Sequence, residues 1–412
     1  MSMGAAIEEK PRDAAVMALV GSAHYTSHVM QLALPPLFPI LHEVFRVSYT
    51  ELGLIVTLFY VASGFGQALA GVLVDRYGAH RLLIGGLVIL SGAIALAGLV
   101  PSYWVLLPLA LLGGLGNSVF HPADLSILSH RVSERRLGRA YAVHGLTGSL
   151  GYATSPVAVA AMAYYADWRI ALGVVGLAGL LVAALLYANR SYLIYRHAEA
   201  SRAAGAPRRP AYLSVVGSPV VLMGFAYFVM TAFAGSGIQT FSITALNSGY
   251  GLAIKLATLG LTAYLVGSAG GILAGGFLAD RTRQHHRVAM AGVATAGVLM
   301  FVIGAVPSLA AAVVPLMLLA GISNGLTGPS RDVLIRRAAS GAGMGSVFGF
   351  VYSGFDLGSS TAPLLFGALI DHGAPQGVFF VVACAFALAV PTVMQVHHRA
   401  AARAGVATAA AE

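Results

Sequence analysis

Apolar runs of about 20 residues recur from one end of this chain to the other, the length a helix rising ~1.5 Å per residue needs to cross a hydrocarbon core ~30 Å thick. Twelve such runs fall at about 15–40, 50–74, 82–100, 103–128, 138–161, 168–188, 217–245, 252–279, 287–305, 309–332, 345–370 and 376–396. Only 9% of the 412 residues are Asp, Glu, Lys or Arg and 58% are hydrophobic. A soluble domain carries roughly 25% charged residues. So few charges cannot clothe a surface facing water, and the lipid bilayer is the surrounding medium. The first run is too long for a cleaved signal and lacks a small-residue cleavage site, so it reads as a retained span.

The net charge of +9 comes from basic residues in the short connections, not from a continuous patch, which excludes nucleic acid as a partner. Cys384 stands alone, which excludes disulfides within the chain and thiolate metal clusters. There is no nucleophile elbow and no phosphate-cradling loop. Glycine pairs such as Gly113-Gly114 and Gly270-Gly271 lie inside apolar spans, where small residues let helices approach closely. No enzyme and no cofactor is expected. Transport without a nucleotide site must draw on a gradient, and no obligate protein partner is evident.

Residues 1–189 form the first six-span half, 190–213 a basic linker with Arg190, Arg196, Arg202, Arg208 and Arg209, and 214–412 the second half. Lys and Arg concentrate on one side: Lys10, Arg12, Arg76, Arg81, Arg135, Arg281 and the linker arginines fall there, while the other side keeps Arg46, Arg169 and Lys255. Cytoplasmic loops hold that excess, so both termini and the linker are expected in the cytoplasm, with the protein in the inner membrane.

The halves repeat. Gly71-Val-Leu-Val-Asp75-Arg76 after the second span returns 205 residues on as Gly276-Phe-Leu-Ala-Asp280-Arg281. Gly114-Leu-Gly-Asn117 and Pro122 in the fourth span return 207 residues on as Gly321-Ile-Ser-Asn324 and Pro329 in the tenth. Gly138, Gly151 and Pro156 return as Gly345, Gly358 and Pro363 at the same offset. Three registers that agree this closely indicate duplication.

Two six-helix halves, a basic linker and paired Gly-x-x-x-Asp-Arg loops resemble the major facilitator superfamily over essentially the whole chain. The loop Gly71-Val-Leu-Val-Asp75-Arg76-Tyr-Gly78-Ala-His-Arg81 is close to that family's loop motif. The resemblance implies an all-α membrane protein of twelve transmembrane helices in two pseudo-symmetric six-helix domains. It also implies a gating loop of Gly71, Asp75, Arg76, Gly78 and Arg81, answered by Gly276, Asp280 and Arg281. The alternative for these residues is a plain topology signal. His24, Leu34-Pro-Pro-Leu-Phe-Pro39 and Gly114-Leu-Gly-Asn-Ser-Val-Phe120-His121-Pro122 resemble the fosmidomycin-resistance-like branch, whose members include proton-driven exporters. The chain departs from that branch at His28 and Ala123, where acids are expected, with Asp124 one place later.

Ionisable groups are costly inside a bilayer, about 2.5–3.5 kcal/mol at a helix centre on insertion scales, so each one retained is a functional candidate. Asp356 lies near the middle of the eleventh span and is the first candidate for proton coupling or substrate binding. A carboxyl hydrogen-bonded for structure is the alternative. His24 and His28, four apart, share one face of the first span with Gln31 almost a turn on, and imidazoles suit both proton exchange and hydrogen bonding to a solute. Metal binding by this pair is set aside, since no third ligand is evident nearby. Asn117, His121 and Asp124 follow helical spacing along the fourth span, and His144 enters the fifth. They are expected to face a cavity or to act as polar glue between the two spans. Gln239, with Tyr227, Thr231 and Thr240, would line the seventh span, and Asn324 the tenth.

The expected function is secondary, proton-coupled transport of a small organic solute, with export favoured. Uptake of an organic anion or nutrient, with Arg331 as anion partner, is the second reading. A transporter-like membrane sensor without flux is the third.

Overall fold

The computed structural model describes residues 5–195, 218–306, 312–338 and 344–409. Among them the secondary structure is helical, with no strand. In lipid every backbone N–H and C=O must be satisfied within the segment, and the α-helix does this without a neighbour.

The first half contains helices Ala5–Gln31, Tyr49–Tyr77, Ala79–Ala97, the pair Tyr103–Asn117 and Phe120–Arg131, Glu134–Tyr165 and Trp168–Ala188. The second contains Pro219–Tyr250, Ile254–Arg281, His285–Ala305, Val313–Ala338, Met344–Asp371 and Gly377–Ala409. Counting the broken pair as one, these are twelve spans. Nine of them, among the described residues, are long and apolar enough to qualify as crossings on length and composition alone. The other three, the first, fifth and eleventh, carry His24 and His28, His144 and Asp356. These three spans hold five of the polar candidates, counting Gln31 in the first, while the fourth, seventh and tenth qualify although they carry Asn117, His121, Asp124, Gln239 and Asn324.

Two expected spans differ from the structure. The first does not run on to residue 40: its helix stops at Gln31, a 3-10 turn covers Pro35–Leu37, and a short helix Phe38–Phe45 follows. Pro35, Pro36 and Pro39 each lack the N–H that an α-helix would use, so the chain leaves the helix and re-enters it with Phe38 and Leu41 buried. The fourth span is broken between Asn117 and Phe120 rather than continuous. Pro122 cannot donate to the Ser118 carbonyl one turn back, and the break falls there. Its counterpart Pro329 lies inside an unbroken helix. Of the linker, residues 196–213 lie outside the described residues, so Arg196, Arg202, Arg208 and Arg209 do as well.

The chain divides into two compact units, Met1–Ser201 and Arg202–Glu412. The same helix pairs pack inside each. First against fifth, second against fourth, and third against fourth and sixth recur as seventh against eleventh, eighth against tenth, and ninth against tenth and twelfth. Paired glycines make these contacts possible. A Cβ on Gly114 would collide with the Phe59 carbonyl, and one on Gly321 with the Tyr264 carbonyl. A Cβ on Gly151 would meet the Tyr25 carbonyl, and one on Gly358 the Val229 carbonyl. The repeat seen in the sequence is a repeat of backbone-to-backbone helix contacts.

Candidate functional site

The break in the fourth span and a glycine in the fifth bring four imidazoles and a carboxylate together in the first half. His24 and His28 lie on one face of the first helix with ring centroids 4.4 Å apart. His144 of the fifth span stacks on His24, centroids 3.6 Å apart and planes 22° from parallel. Gly148, one turn beyond His144, opens the space: a Cβ there would lie 2.8 Å from His24 Nε2 and 2.9 Å from His28 Cε1. From the fourth span, fully buried Asp124 places Oδ2 3.1 Å from His144 Nε2, in hydrogen-bond geometry. The same oxygen is 3.3 Å from His24 Nδ1 but off the hydrogen-bond line, so His24 Nδ1 and Asp124 Oδ1 are buried without a hydrogen-bond partner. The His121 ring lies 5.3 Å from His24 and 6.0 Å from His144, on the exposed side of the group. Three ring nitrogens, one each from His24, His121 and His144, fall within 4.8 Å of one another. Three imidazoles therefore converge where sequence spacing offered only two, because the additional rings come from spans four and five.

His28 is held differently. Its Nδ1 lies 3.0 Å from the Gly148 carbonyl, which can only accept, so that nitrogen carries the proton. Its ring rests on Tyr152, centroids 4.1 Å apart. Tyr152 starts a polar chain: its hydroxyl donates to Gln31 Oε1 at 2.7 Å, Gln31 Nε2 donates to Asn117 Oδ1 at 2.9 Å, and Asn117 Nδ2 donates to Ser63 Oγ at 2.9 Å. Gln31 also lines an apolar cavity with Met30, Phe59, Leu106 and Leu109. The stripe Asn117–His121–Asp124 lies against Gln31 and His24 of the first span, a neighbour that the spacing, which offered a cavity or glue between spans four and five, did not name. Ser63 and Tyr152 went unnoticed because a serine or tyrosine carries no signal until its partner is known.

In the second half, Asp356 is half-buried at residue 13 of the 28-residue eleventh helix. Among the described residues it has no hydrogen bond or ion pair. Gln239 is half-buried and likewise without a partner among them, while Thr240 is buried. Thr231 donates to the Tyr227 carbonyl of its own helix at 2.9 Å, and the Tyr227 hydroxyl reaches Thr327 at 3.4 Å. Asn324 Nδ2 donates to the Tyr264 hydroxyl at 3.1 Å. Arg331 ends the polar face of the tenth span. Its guanidinium lies 4.5 Å from the Phe228 ring centroid and 5.8 Å from that of Phe355, with Nε donating to Asp332 at 2.9 Å. The Tyr352 hydroxyl donates to the same carboxylate at 3.2 Å. Among these, Phe228, Tyr352 and Phe355 were not singled out in the sequence.

The gating-loop residues that are described sit at helix ends and on exposed faces. Gly78 caps the second span at φ 90°, its N–H donating to the Val74 carbonyl at 2.9 Å. Arg76 is exposed beside the Tyr77 ring, and Arg81, Asp280 and Arg281 are exposed or half-exposed. The environments of Gly71 and Asp75 lie outside the described residues. A Cβ on Gly276 would meet nothing within 4 Å inside its own half, whereas one on neighbouring Gly275 would lie 2.7 Å from the Leu326 carbonyl. The close approach in that half is therefore made by Gly275. Asp13 is a further buried acid that sequence reading passed over: it accepts from Ser133 Oγ at 2.7 Å and Ser133 N at 3.3 Å, with Arg136 at 3.5 Å, and so ties the start of the first span to the start of the fifth.

The sequence model of the Major Facilitator Superfamily matches residues 17–261 and 230–408. The chain is 26% identical to the fosmidomycin resistance protein of Escherichia coli over 393 residues, 90% of this chain and 89% of that protein. It is 24% identical to a probable sulfoacetate transporter of Cupriavidus necator over 386 residues, 87% of each. It is also 24% identical to the membrane sensor protein UhpC of Escherichia coli over 273 residues, 62% of each. A crystal structure of a bacterial homologue of the human lysosomal transporter Spinster, inward-facing and occupied, matches with a TM-score of 0.80 at 14% identity, covering 94% of this chain and 97% of that one. At that identity the likeness is one of fold.

Proposed function

Because this chain belongs to the Major Facilitator Superfamily, and is therefore a multi-pass membrane transporter rather than an enzyme, we propose that it exports a small organic solute in exchange for protons. The observation that carries the coupling is Asp356, a half-buried carboxyl group near the middle of a membrane span, with no partner among the described residues. A carboxylate in lipid without a countercharge costs several kcal/mol on the order given by insertion and transfer scales, so evolution removes it unless it is used. Taking up a proton removes the charge and losing it restores the charge, and a group in that position can alternate between the two during a transport cycle.

Export is supported by similarity to the fosmidomycin resistance protein across nearly the whole chain, and by the Phe120-His121-Pro122 segment noted above. The Gln31–Asn117–Ser63 chain in the first half, and Gln239 and Asn324 in the second, supply amide groups able to donate to and accept from a polar solute. The distribution of Lys and Arg supports a reading with both termini in the cytoplasm and the protein in the cytoplasmic membrane.

Arg331 and the similarity to a probable sulfoacetate transporter favour a second reading, uptake of an organic anion. Similarity to a membrane sensor protein favours a third, binding without flux. Proteoliposomes with a proton gradient of either sign, offered fosmidomycin or sulfoacetate as probe solutes, separate the three. Export requires solute movement against the direction of proton flow, uptake requires movement with it, and a sensor gives none. Asp356→Asn should abolish proton movement while downhill counterflow of the same solute persists. Unchanged proton-driven transport in that variant would remove Asp356 from the coupling.

A further inference from the structure

We propose that His24, His121, His144 and Asp124 form a binding site for one divalent transition-metal ion of the zinc class inside the first half. Nothing in the transport reading above requires these four residues, and the proposal stands apart from it.

The donor set comes first. Three imidazole nitrogens and a carboxylate oxygen are ligands of the kind zinc takes, and imidazole suits zinc, cobalt, nickel and copper alike. Geometry comes next. The three nitrogens lie within 4.8 Å of one another, and both His24 and His144 stand within 3.3 Å of one Asp124 oxygen. With metal–nitrogen bonds of ~2.0–2.1 Å, tetrahedral ligand atoms sit about 3.4 Å apart. Closing to that distance requires the His24 and His144 rings to swing out of their stack so that each points a nitrogen at the ion.

Two further observations point to an occupant. His24 is 3% exposed and Asp124 0%, yet His24 Nδ1 and Asp124 Oδ1 have no hydrogen-bond partner. Buried polar atoms left unpaired are rare, and two in one cluster call for an explanation. Among the described residues, the groups paired with the Asp124 carboxylate are imidazoles, those of His24 and His144. A carboxylate removed from water needs a countercharge, and neutral imidazoles supply none. A divalent cation supplies it and takes up the unpaired His24 Nδ1, which lies 3.3 Å from Asp124 Oδ2. The backbone is already shaped for this, since Gly148 lets the His24 ring lie against the fifth span. His121 is the exposed ligand and gives the ion a way in.

A metal held there would clip the first, fourth and fifth spans together. An imidazolium–carboxylate pair sharing a proton within the cluster is the competing arrangement, and the experiment separates the two. Tag-free full-length protein, purified in detergent and stripped with a chelator, is titrated with Co2+ and with Zn2+. The expected results are one ion per chain, the intense visible bands of a four-coordinate Co2+ site, and a Zn2+-dependent rise in Tm. His121→Gln changes the exposed ligand and is the variant least able to disturb folding. It should weaken Zn2+ binding at least tenfold and abolish the Tm rise while leaving the metal-free Tm within a few degrees. Asp124→Asn should do the same to the Co2+ bands. His372→Gln, which removes an exposed histidine of the second half, should change neither. The proposal is overturned if the wild type gives only the pale spectrum of hexahydrated Co2+, or if His121→Gln and Asp124→Asn bind as many ions as tightly as the wild type.

Discussion

Asp124 and Arg331 stand 207 residues apart and occupy the same place in their respective halves with opposite charge, in register with the pairs Asn117 and Asn324 and Pro122 and Pro329. Each turns toward the first helix of its own half. Asp124 meets His24, 3.3 Å away, and Arg331 lies 4.5 Å from the ring of Phe228, 204 residues on from His24. The duplicated fold therefore keeps a charged position on the fourth helix and an aromatic ring opposite it, while the chemistry has separated. One half holds an acid among imidazoles and the other a guanidinium among benzene rings. His144, which completes the first group, is answered by Val351, which packs 3.5 Å from the position a Cβ on Gly224 would take.

Arg331→Lys tests how much of the second arrangement depends on the shape of the guanidinium. A planar cation stacks on an aromatic face and donates sideways at once, and an ammonium does not. Losing the stack on Phe228 should lower stability by about 1 kcal/mol, in the range for a partly desolvated cation–π contact. The charge opposite Asp332 is retained. Phe228→Leu alone also loses the buried ring's packing on Tyr352 and Phe355 and should cost more, but added to Arg331→Lys it should cost about 1 kcal/mol less than it does alone, because the cation–π contact is already gone. Thermal unfolding of the two single variants and the double variant in one detergent gives the coupling directly.

Gly148→Ala should be among the most damaging single-methyl changes in the first half. The added carbon would sit 2.8 Å from His24 Nε2 and 2.9 Å from the His28 ring, so both rings or the fifth span must move. Overpacking of this kind costs about 1–3 kcal/mol. Gly145→Ala, one turn earlier with nothing within 4 Å of its Cβ position, should leave Tm unchanged and serves as the internal control.

The chain Tyr152–Gln31–Asn117–Ser63 joins spans five, one, four and two by three side-chain hydrogen bonds. Interhelical hydrogen bonds in membranes average about 0.6 kcal/mol by double-mutant cycles. Tyr152→Phe, which removes both the hydroxyl's bond to Gln31 and its bond to Tyr60, should therefore lower stability by up to about twice that amount. Asn117→Leu breaks two bonds and leaves Gln31 Nε2 and Ser63 unsatisfied as well, so its cost should exceed the Tyr152→Phe value. Equal costs for the two variants would mean that the amide of Asn117 finds no use in its partners.

Much of this architecture was legible because lipid imposes one rule on every span. Run lengths gave twelve crossings, and paired glycines gave the duplication, since Gly114 and Gly321 are each required by a carbonyl of the neighbouring helix. Pro35, Pro36 and Pro122 disturbed the reading: an apolar run continues across a proline although the helix does not, and so the first span ends at Gln31 and the fourth divides. The polar groups were visible singly, as charges and imidazoles where few are tolerated. Their company was not. His121 and His144 meet His24 across helices that are 97 and 120 residues away along the chain, and sequence spacing carries no information about such a meeting. Ser63, Tyr152 and Phe228 matter only through what they touch.

The duplication also makes a prediction about the two halves as folding units. Gly114 and Gly321 are equivalent in sequence and in contact: a Cβ on Gly114 would strike the Phe59 carbonyl and lie 2.9 Å from Ala62 Cβ, and one on Gly321 would strike the Tyr264 carbonyl and lie 3.0 Å from Ser268 N. In each case the obstacle is backbone, which cannot swing aside like a side chain, so the fourth helix must move away from the second or the tenth from the eighth. Membrane helix pairs gain their stability from such close packing, and Gly→Ala at either site should lower it by about 1–3 kcal/mol. The neighbours need not respond alike. The fourth span is already broken after Asn117, and its two short helices can shift independently, whereas the tenth is a single rod from Val313 to Ala338. Strain at Gly114 can be absorbed at the break, and strain at Gly321 must be carried along the whole helix. Gly321→Ala is therefore expected to lower Tm more than Gly114→Ala, and the reverse order would show that the break at Ser118 is stiff.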